Sequence, residues 1–296
     1  MPTARVTVMP ALRVEEWRAA AAAAGQPLPE PVEGDGDGVV ELVVDDVTVG
    51  GAVITYDDEG GRSRASVQRL QTTLPHDAVE SWSAVLAALE AHVRAWGARV
   101  LITAVAPSLA GVFGRAGYRA TMTTVSKRLD SGSVHELQDD QRVTLRDMDA
   151  GERRRYAKDA VELVRAGMQR AGVTGTEAAV GDLADRIAAL AADPLPEDEL
   201  LLVGLLDGVP IGRLWATVVT SDDGAIDLRG NLVDLFPEFR GRRLTPSFLG
   251  ALRRHMHTLG VRGVHGRLYA HDAGARRTVV EEGTGIDDVH LRKDLG

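Results

Sequence analysis

Three arginines fall within four residues in the stretch Leu235-Phe236-Pro237-Glu238-Phe239-Arg240-Gly241-Arg242-Arg243-Leu244-Thr245-Pro246, between a strand-like apolar run and a run with helical spacing. A strand that enters a helix through such a loop outlines an anion site. The first backbone N–H groups of a helix have no intrahelical partner, and the positive end of the helix dipole lies beside them. Phosphate suits this chemistry, and Arg240, Arg242 and Arg243 add charge to it. The same residues also fit a plain capped helix start with solvated arginines. Asp234 interrupts the apolar run just before the loop, and a charge in such a run needs a reason. Two readings stay open: it takes up a proton or anchors a cation, or it faces solvent on an alternating strand. Asp227, at the start of the same run, carries the same pair of readings. The chain contains no cysteine, which excludes a thiol nucleophile, a thiolate metal site and a disulfide scaffold.

The elements that must position these groups follow from pattern. A β-hairpin is expected over Leu201–Val219, with an Asp-containing turn, then a strand over 227–236, a helix over 246–259 and a strand over 264–270. Thr245 is expected to cap the helix, with Pro246 as its first residue. Phe248, Leu249, Leu252, Met256 and Leu259 form the apolar face, and Gly260 suits the left-handed position that ends it.

The same order occurs earlier in the chain. Arg5-Val6-Thr7-Val8 resembles Arg142-Val143-Thr144-Leu145, and the run around Gly51 resembles that around Gly212. Pro75 parallels Pro237, Gly97 parallels Gly260 and Gly117 parallels Gly285, at slowly drifting separations. The first helical run, Val85, Leu86, Leu89, Val93 and Trp96, also ends at its glycine. Two copies of one α/β (α+β) unit explain this, with extra helical material in the second copy within 150–193. The expected division is a domain over 1–130, a polar linker over 131–140 and a domain over 141–296. The loop Gly34-Asp35-Gly36-Asp37-Gly38 lacks the ligand run of a calcium loop, and His255 and His257 fall on different helix faces, so neither reads as a metal site.

Composition sets the outer bounds. With 296 residues, 44% hydrophobic and 26% charged, the chain can bury a substantial core. A net charge of −9 opposes the broad basic surface of a nucleic-acid binder and favours cationic or neutral partners. No apolar run reaches the ~18 residues of a membrane span, and the first residues lack a secretory pattern, so a cytoplasmic location is expected.

The loop Arg240–Thr245, after a strand ending in apolar-x-Pro-x-x, resembles the pyrophosphate loop of the GCN5-related N-acetyltransferases, and the surrounding elements follow that family's order in both halves. The resemblance covers roughly 1–129 and 141–296. It implies two tandem acetyltransferase-like domains, each a mixed, mostly antiparallel sheet flanked by helices, a two-copy layout like that of the mycothiol acetyltransferases. It implies transfer of an acetyl group from acetyl-CoA to a primary amine of a small molecule through a ternary complex in the C-terminal domain. The backbone of Val233 to Leu235 would hold the pantetheine arm in a V-shaped gap, and Arg240, Gly241, Arg242, Arg243, Leu244 and Thr245 would hold the phosphates.

The pattern is not met throughout. Arg243 and Thr245 replace the two family glycines, and the tyrosine that often protonates the leaving thiolate is missing before Gly285. Val280 or Glu281 occupies its place, Tyr269 at the end of the next strand is a second candidate acid, and Asp234 is the candidate base or amine anchor. His271-Asp272 contacts CoA or forms a turn. The first copy places Asp77 and Glu80 where phosphate would lie, and is expected to be catalytically silent. Alternative readings are a binding protein or pseudoenzyme that kept the fold, and an aminoacyl-tRNA-dependent transferase. A monomer or homodimer in a bacterial cytoplasm is expected, with no nucleic-acid or membrane partner.

Overall fold

Alternating and helical runs become the expected elements in the computed structural model, which describes residues 2–23, 38–59, 62–129, 142–173, 177–221, 223–281 and 283–296. The linker 131–140 and most of the loop Gly34–Gly38 lie outside the described residues. In chain order the elements are β1 (Ala4–Val8), α1 (Ala11–Ala23), β2 (Gly38–Val44), β3 (Val47–Glu59), β4 (Arg62–Thr72), α2 (Val79–Ala95), β5 (Val100–Val105), α3 (Pro107–Arg115) and β6 (Arg119–Arg128). There follow β7 (Val143–Asp147), α4 (Ala150–Arg170), α5 (Glu177–Ala189), β8 (Glu199–Leu206), β9 (Val209–Thr220), β10 (Ile226–Leu235), a 3-10 turn over Pro237–Phe239, α6 (Thr245–Thr258), β11 (Val261–Tyr269), α7 (Ala273–Glu281) and β12 (Gly285–Asp294).

Two units result, and the first is built from both ends of the sequence. The first is chiefly Met1–Met122 with Asp288–Gly296, the second chiefly Thr123–Thr174 with Ala178–Asp287. The strand order in the first is β1-β2-β3-β4-β5-β12, with only β4 and β5 parallel. In the second it is β7-β8-β9-β10-β11-β6, again with a parallel β10/β11 pair. Each copy thus takes its sixth strand from the other half of the sequence.

Within the first unit, Trp82, Leu86, Leu89 and Val93 of α2 pack on Ala52, Ile54 and Leu101 of the sheet, and Leu291 of β12 joins the same core. Within the second, Phe248, Leu252 and Met256 of α6 cover one face, while Tyr156, Ala160 and Val164 of α4 and Ile187 of α5 cover the other with Trp215. The added helical material expected within 150–193 includes α5.

Strand register refines the internal repeat. Gly50 stands opposite Thr72 and Gly212 opposite Leu235, so Gly50, not Gly51, is the counterpart of Gly212. Ala4 pairs with Val44 and Val143 with Leu206, which aligns Ala4 rather than Arg5 or Val6 with Val143. The matched Arg-Val letters were two residues out of register. Gly97 and Gly260 adopt φ of +89° and +70° after their helices, as their place in the pattern requires. Gly117 has φ +89°, but its counterpart is Gly283 at +76°, because Gly285 already lies in β12.

Candidate functional site

Strand β10 pairs with β11 only from Ile226↔Val261 to Gly230↔Gly266, and then the two strands part. The antiparallel pairing of β10 with β9 continues to Leu235, with Asn231 as an extra residue between the paired Gly230 and Leu232. This bulge turns the rest of β10 away from β11 and opens a notch between Leu232–Leu235 and Arg267–Tyr269. The Asn231 amide locks the bulge by donating to Thr217 Oγ1 at 2.8 Å. Gln68 does the same at the corresponding bulge of the first unit, donating to Thr55 Oγ1 at 3.1 Å.

The loop leaving β10 makes a 3-10 turn and then takes left-handed backbone at Gly241 (φ +74°) and at Arg243 (φ +58°). The second value belongs to a residue with a Cβ, which rarely adopts it outside glycine, asparagine and aspartate. Arg243 therefore keeps the backbone path that a glycine at that place would take. Thr245 does not cap α6 but is its first residue; Leu244 occupies the cap position, and no side chain accepts from the first turn. Leu244 is already near helical geometry (ψ −11°), which carries the helix start one residue earlier than the Thr-Pro pair suggests. Among the described residues, the N–H groups at this end of α6 are left without a side-chain cap.

The three arginines divide their work. Arg240 Nε donates to the Leu235 carbonyl at 2.8 Å and its Nη2 to Asp234 Oδ1 at 2.8 Å, so it folds back onto β10. Arg242 lies over the Phe239 ring at 5.5 Å, and Arg242 and Arg243 are exposed. Asp234 is only 13% exposed and sits opposite Arg213 across β9/β10. Its Oδ2 lies 3.5 Å from Arg213 Nη2, and Arg213 Nη1 donates to Asp159 of α4 at 3.0 Å. Arg213 is held over the Tyr156 ring at 5.1 Å and the Phe236 ring at 5.6 Å. This chain from α4 to the loop places Asp234 as an anchor with both oxygens engaged. Neither a free carboxylate nor a solvent-facing one describes it. Arg213 was missed in the sequence, although an arginine inside the apolar run LLLVGLLDGVPIGRLWATVV was the visible signal.

Tyr269 ends β11 at the other wall of the notch. Its ring lies against α4, where a Cβ on Gly167 would come within 2.5 Å of it, and it stacks on His271 at 5.6 Å. Burial pushes its phenol above the ordinary value of 10, so it stays protonated at neutral pH and can donate. Glu281 closes α7 and is exposed to solvent. Asp272 accepts from the Ala275 N–H at 2.9 Å and so serves the start of α7. Asp227 lies farther down β10, its Oδ2 3.6 Å from His265 Nε2 on β11.

The first unit keeps the parting of its parallel strands, which are paired only from Arg64↔Val100 to Val67↔Thr103. It has lost the loop. Counting from Gly97 and Gly260, Trp82 aligns with Thr245, yet α2 already starts at Val79 and so is one turn longer where the second unit has Arg242–Leu244. The Trp82 indole, fully buried, donates to the Pro75 carbonyl at 2.9 Å. Asp77 and Glu80 are exposed there. A cavity of about 330 Å³ in this unit is lined by Met9, Val14, Arg18, Val39 and Val53, among others, and by none of the residues 233–245.

No protein-family model and no curated protein sequence matches the chain. Solved structures resemble it in fold. A GCN5-related N-acetyltransferase from Sphaerobacter thermophilus is 18% identical, covering 99% of this chain and 96% of its own at a TM-score of 0.50. A tandem GNAT protein from the clavulanic acid biosynthesis pathway is 15% identical over 100% of this chain and 99% of its own, at a TM-score of 0.47. The fold is the GCN5-related N-acetyltransferase fold.

Proposed function

We propose that the second unit binds an acyl-CoA, in the first instance acetyl-CoA, and transfers its acyl group to a primary amine of a small molecule. The observation that carries this reading is the combination at the end of β10: a notch opened by the Asn231 bulge, followed by a loop with left-handed backbone at 241 and 243 that delivers an uncapped helix start. Unpaired strand edges suit an extended amide-bearing arm, and the free N–H groups with Arg242 and Arg243 suit a pyrophosphate. A thioester is already activated, so a direct ternary complex needs proximity and proton removal rather than a covalent enzyme intermediate. We assign Tyr269, whose phenol burial keeps protonated, as the proton donor to the leaving sulfur. The first unit, with its helix extended through the loop position, is assigned no acyl transfer. A cytoplasmic monomer or homodimer fits this reading; among the described residues no helix is long and apolar enough to cross a membrane.

Titration calorimetry with acetyl-CoA tests the reading. Wild-type protein is expected to bind it at one site per chain, and the Arg242→Ala/Arg243→Ala protein to bind at least tenfold more weakly, as the loss of a charge-assisted contact of ~1.5–3 kcal/mol implies. Binding that the double substitution leaves unchanged overturns the placement of phosphate on this loop, and no binding at all supports a protein that kept only the fold.

A further inference from the structure

We infer that His265 is the general base of the second unit, with Asp227 holding its imidazolium. The inference rests on the acyl-CoA reading above and assigns the proton acceptor to a side chain other than Asp234, whose oxygens face two arginines. His265 stands one residue before Gly266, the last residue of β11 paired to β10, so it lies at the apex of the notch. Side chains at 263, 265, 267 and 269 share one face of β11, and that face carries Tyr269 against α4. An arm running from the loop back along β10 ends at the Asn231 bulge, beside this apex. His265 is 52% exposed, so a substrate can reach it, and its Nε2 lies 3.6 Å from Asp227 Oδ2.

The glycine next to it supports the pairing. A Cβ on Gly263 would lie 2.6 Å from Asp227 Oδ1, so the carboxylate leans across β11 through space that only glycine leaves open, toward the imidazole. An imidazole nitrogen can accept a proton, and with Asp227 on the Nε2 side the Nδ1 side is left for the substrate. In the reaction, the amine nitrogen bonds to the thioester carbonyl carbon and the carbon–sulfur bond breaks. One proton passes from nitrogen to His265 Nδ1, which then releases it to solvent, and the departing thiolate takes another from Tyr269, which solvent reprotonates.

The test measures CoA thiol release from acetyl-CoA with glycinamide as the added amine, alongside acetyl-CoA binding by calorimetry. His265→Ala is expected to keep acetyl-CoA affinity within twofold and to lose about 10²–10⁴ in rate, part of which added imidazole restores. Gly263→Ala, which touches no substrate, is expected to slow turnover about tenfold by displacing Asp227. A His265→Ala protein at the wild-type rate, or one that imidazole does not rescue, overturns the inference and leaves acyl-CoA binding standing. So does a wild-type protein that binds acetyl-CoA without releasing CoA faster than buffer. A wild-type protein that binds no acetyl-CoA overturns the parent reading as well.

Discussion

At Asp234 each carboxylate oxygen faces a guanidinium group, Oδ1 that of Arg240 and Oδ2 that of Arg213, so the side chain ties the loop and β9 to β10. The side chain that looks most like a base in the sequence is therefore placed to hold the loop. Asp234→Asn removes the charge and keeps the shape. We expect acetyl-CoA affinity to fall about tenfold, as one charged hydrogen bond to Arg240 weakens, while kcat at saturating acetyl-CoA and amine stays within threefold. Calorimetry and initial rates on the same preparation separate the outcomes, and a kcat lower by 10² would return Asp234 to proton transfer. Arg243 carries a related lesson: its letter breaks the glycine pattern, but its φ of +58° keeps the path.

Helix α4 is the element that reaches both walls of the notch, through Asp159 to Arg213 and through Gly167 to Tyr269. Its start is fixed by a capping box in which Asp149 accepts from the Glu152 N–H and Glu152 accepts from the Asp149 N–H. Glu152 also accepts both guanidinium N–H groups of Arg146, at 2.6 and 2.7 Å, and this pairing holds its carboxyl down at about 2. A folded-state value below the unfolded 4.5 means the stabilisation is present above pH 4.5 and is lost as pH falls toward 2. Glu152→Gln should cost about 1 kcal/mol near neutral pH, and the gap between wild-type and variant melting temperatures should close between pH 5 and 2. A gap independent of pH would assign the stabilisation to packing. The contrast between α2 and α6 belongs to this scale too, since one added turn at the start of α2 removes a whole loop from the first unit.

For the whole molecule, the last strand decides how the units are made. Lys293 of β12 donates to Glu90 Oε1 and to the Ala116 carbonyl, both at 2.7 Å, and Glu90 is only 7% exposed. The C-terminal strand is therefore clipped into the unit built from the start of the chain. Lys293→Met leaves Glu90 buried with Arg94 as a more distant partner at 3.5 Å, so unfolding in urea should show a loss of about 3 kcal/mol. Wild-type stability in this variant would mean the strand is held by its backbone pairing and Leu291 alone.

The elements, their order and the duplication were legible in the residues because apolar period, proline and glycine act within a few positions of the chain. Gly97 and Gly260 were readable for that reason, and so was the loop between β10 and α6. What lies across a strand is not local. The Asp234–Arg213 pairing needs the β9/β10 register, the notch needs the bulge at Asn231, and the Asp227–His265 pair needs two parallel strands joined only through a crossover helix. The exchange needed β12 to pair with β5 across more than 180 residues of chain, as Leu101 does with Lys293, and β6 to lie beside β11, which no period in the sequence encodes. Sequence alone determined which pieces exist; the register of the folded sheets decided which side chains meet, because a shift of a single residue turns every side chain on a strand to its other face.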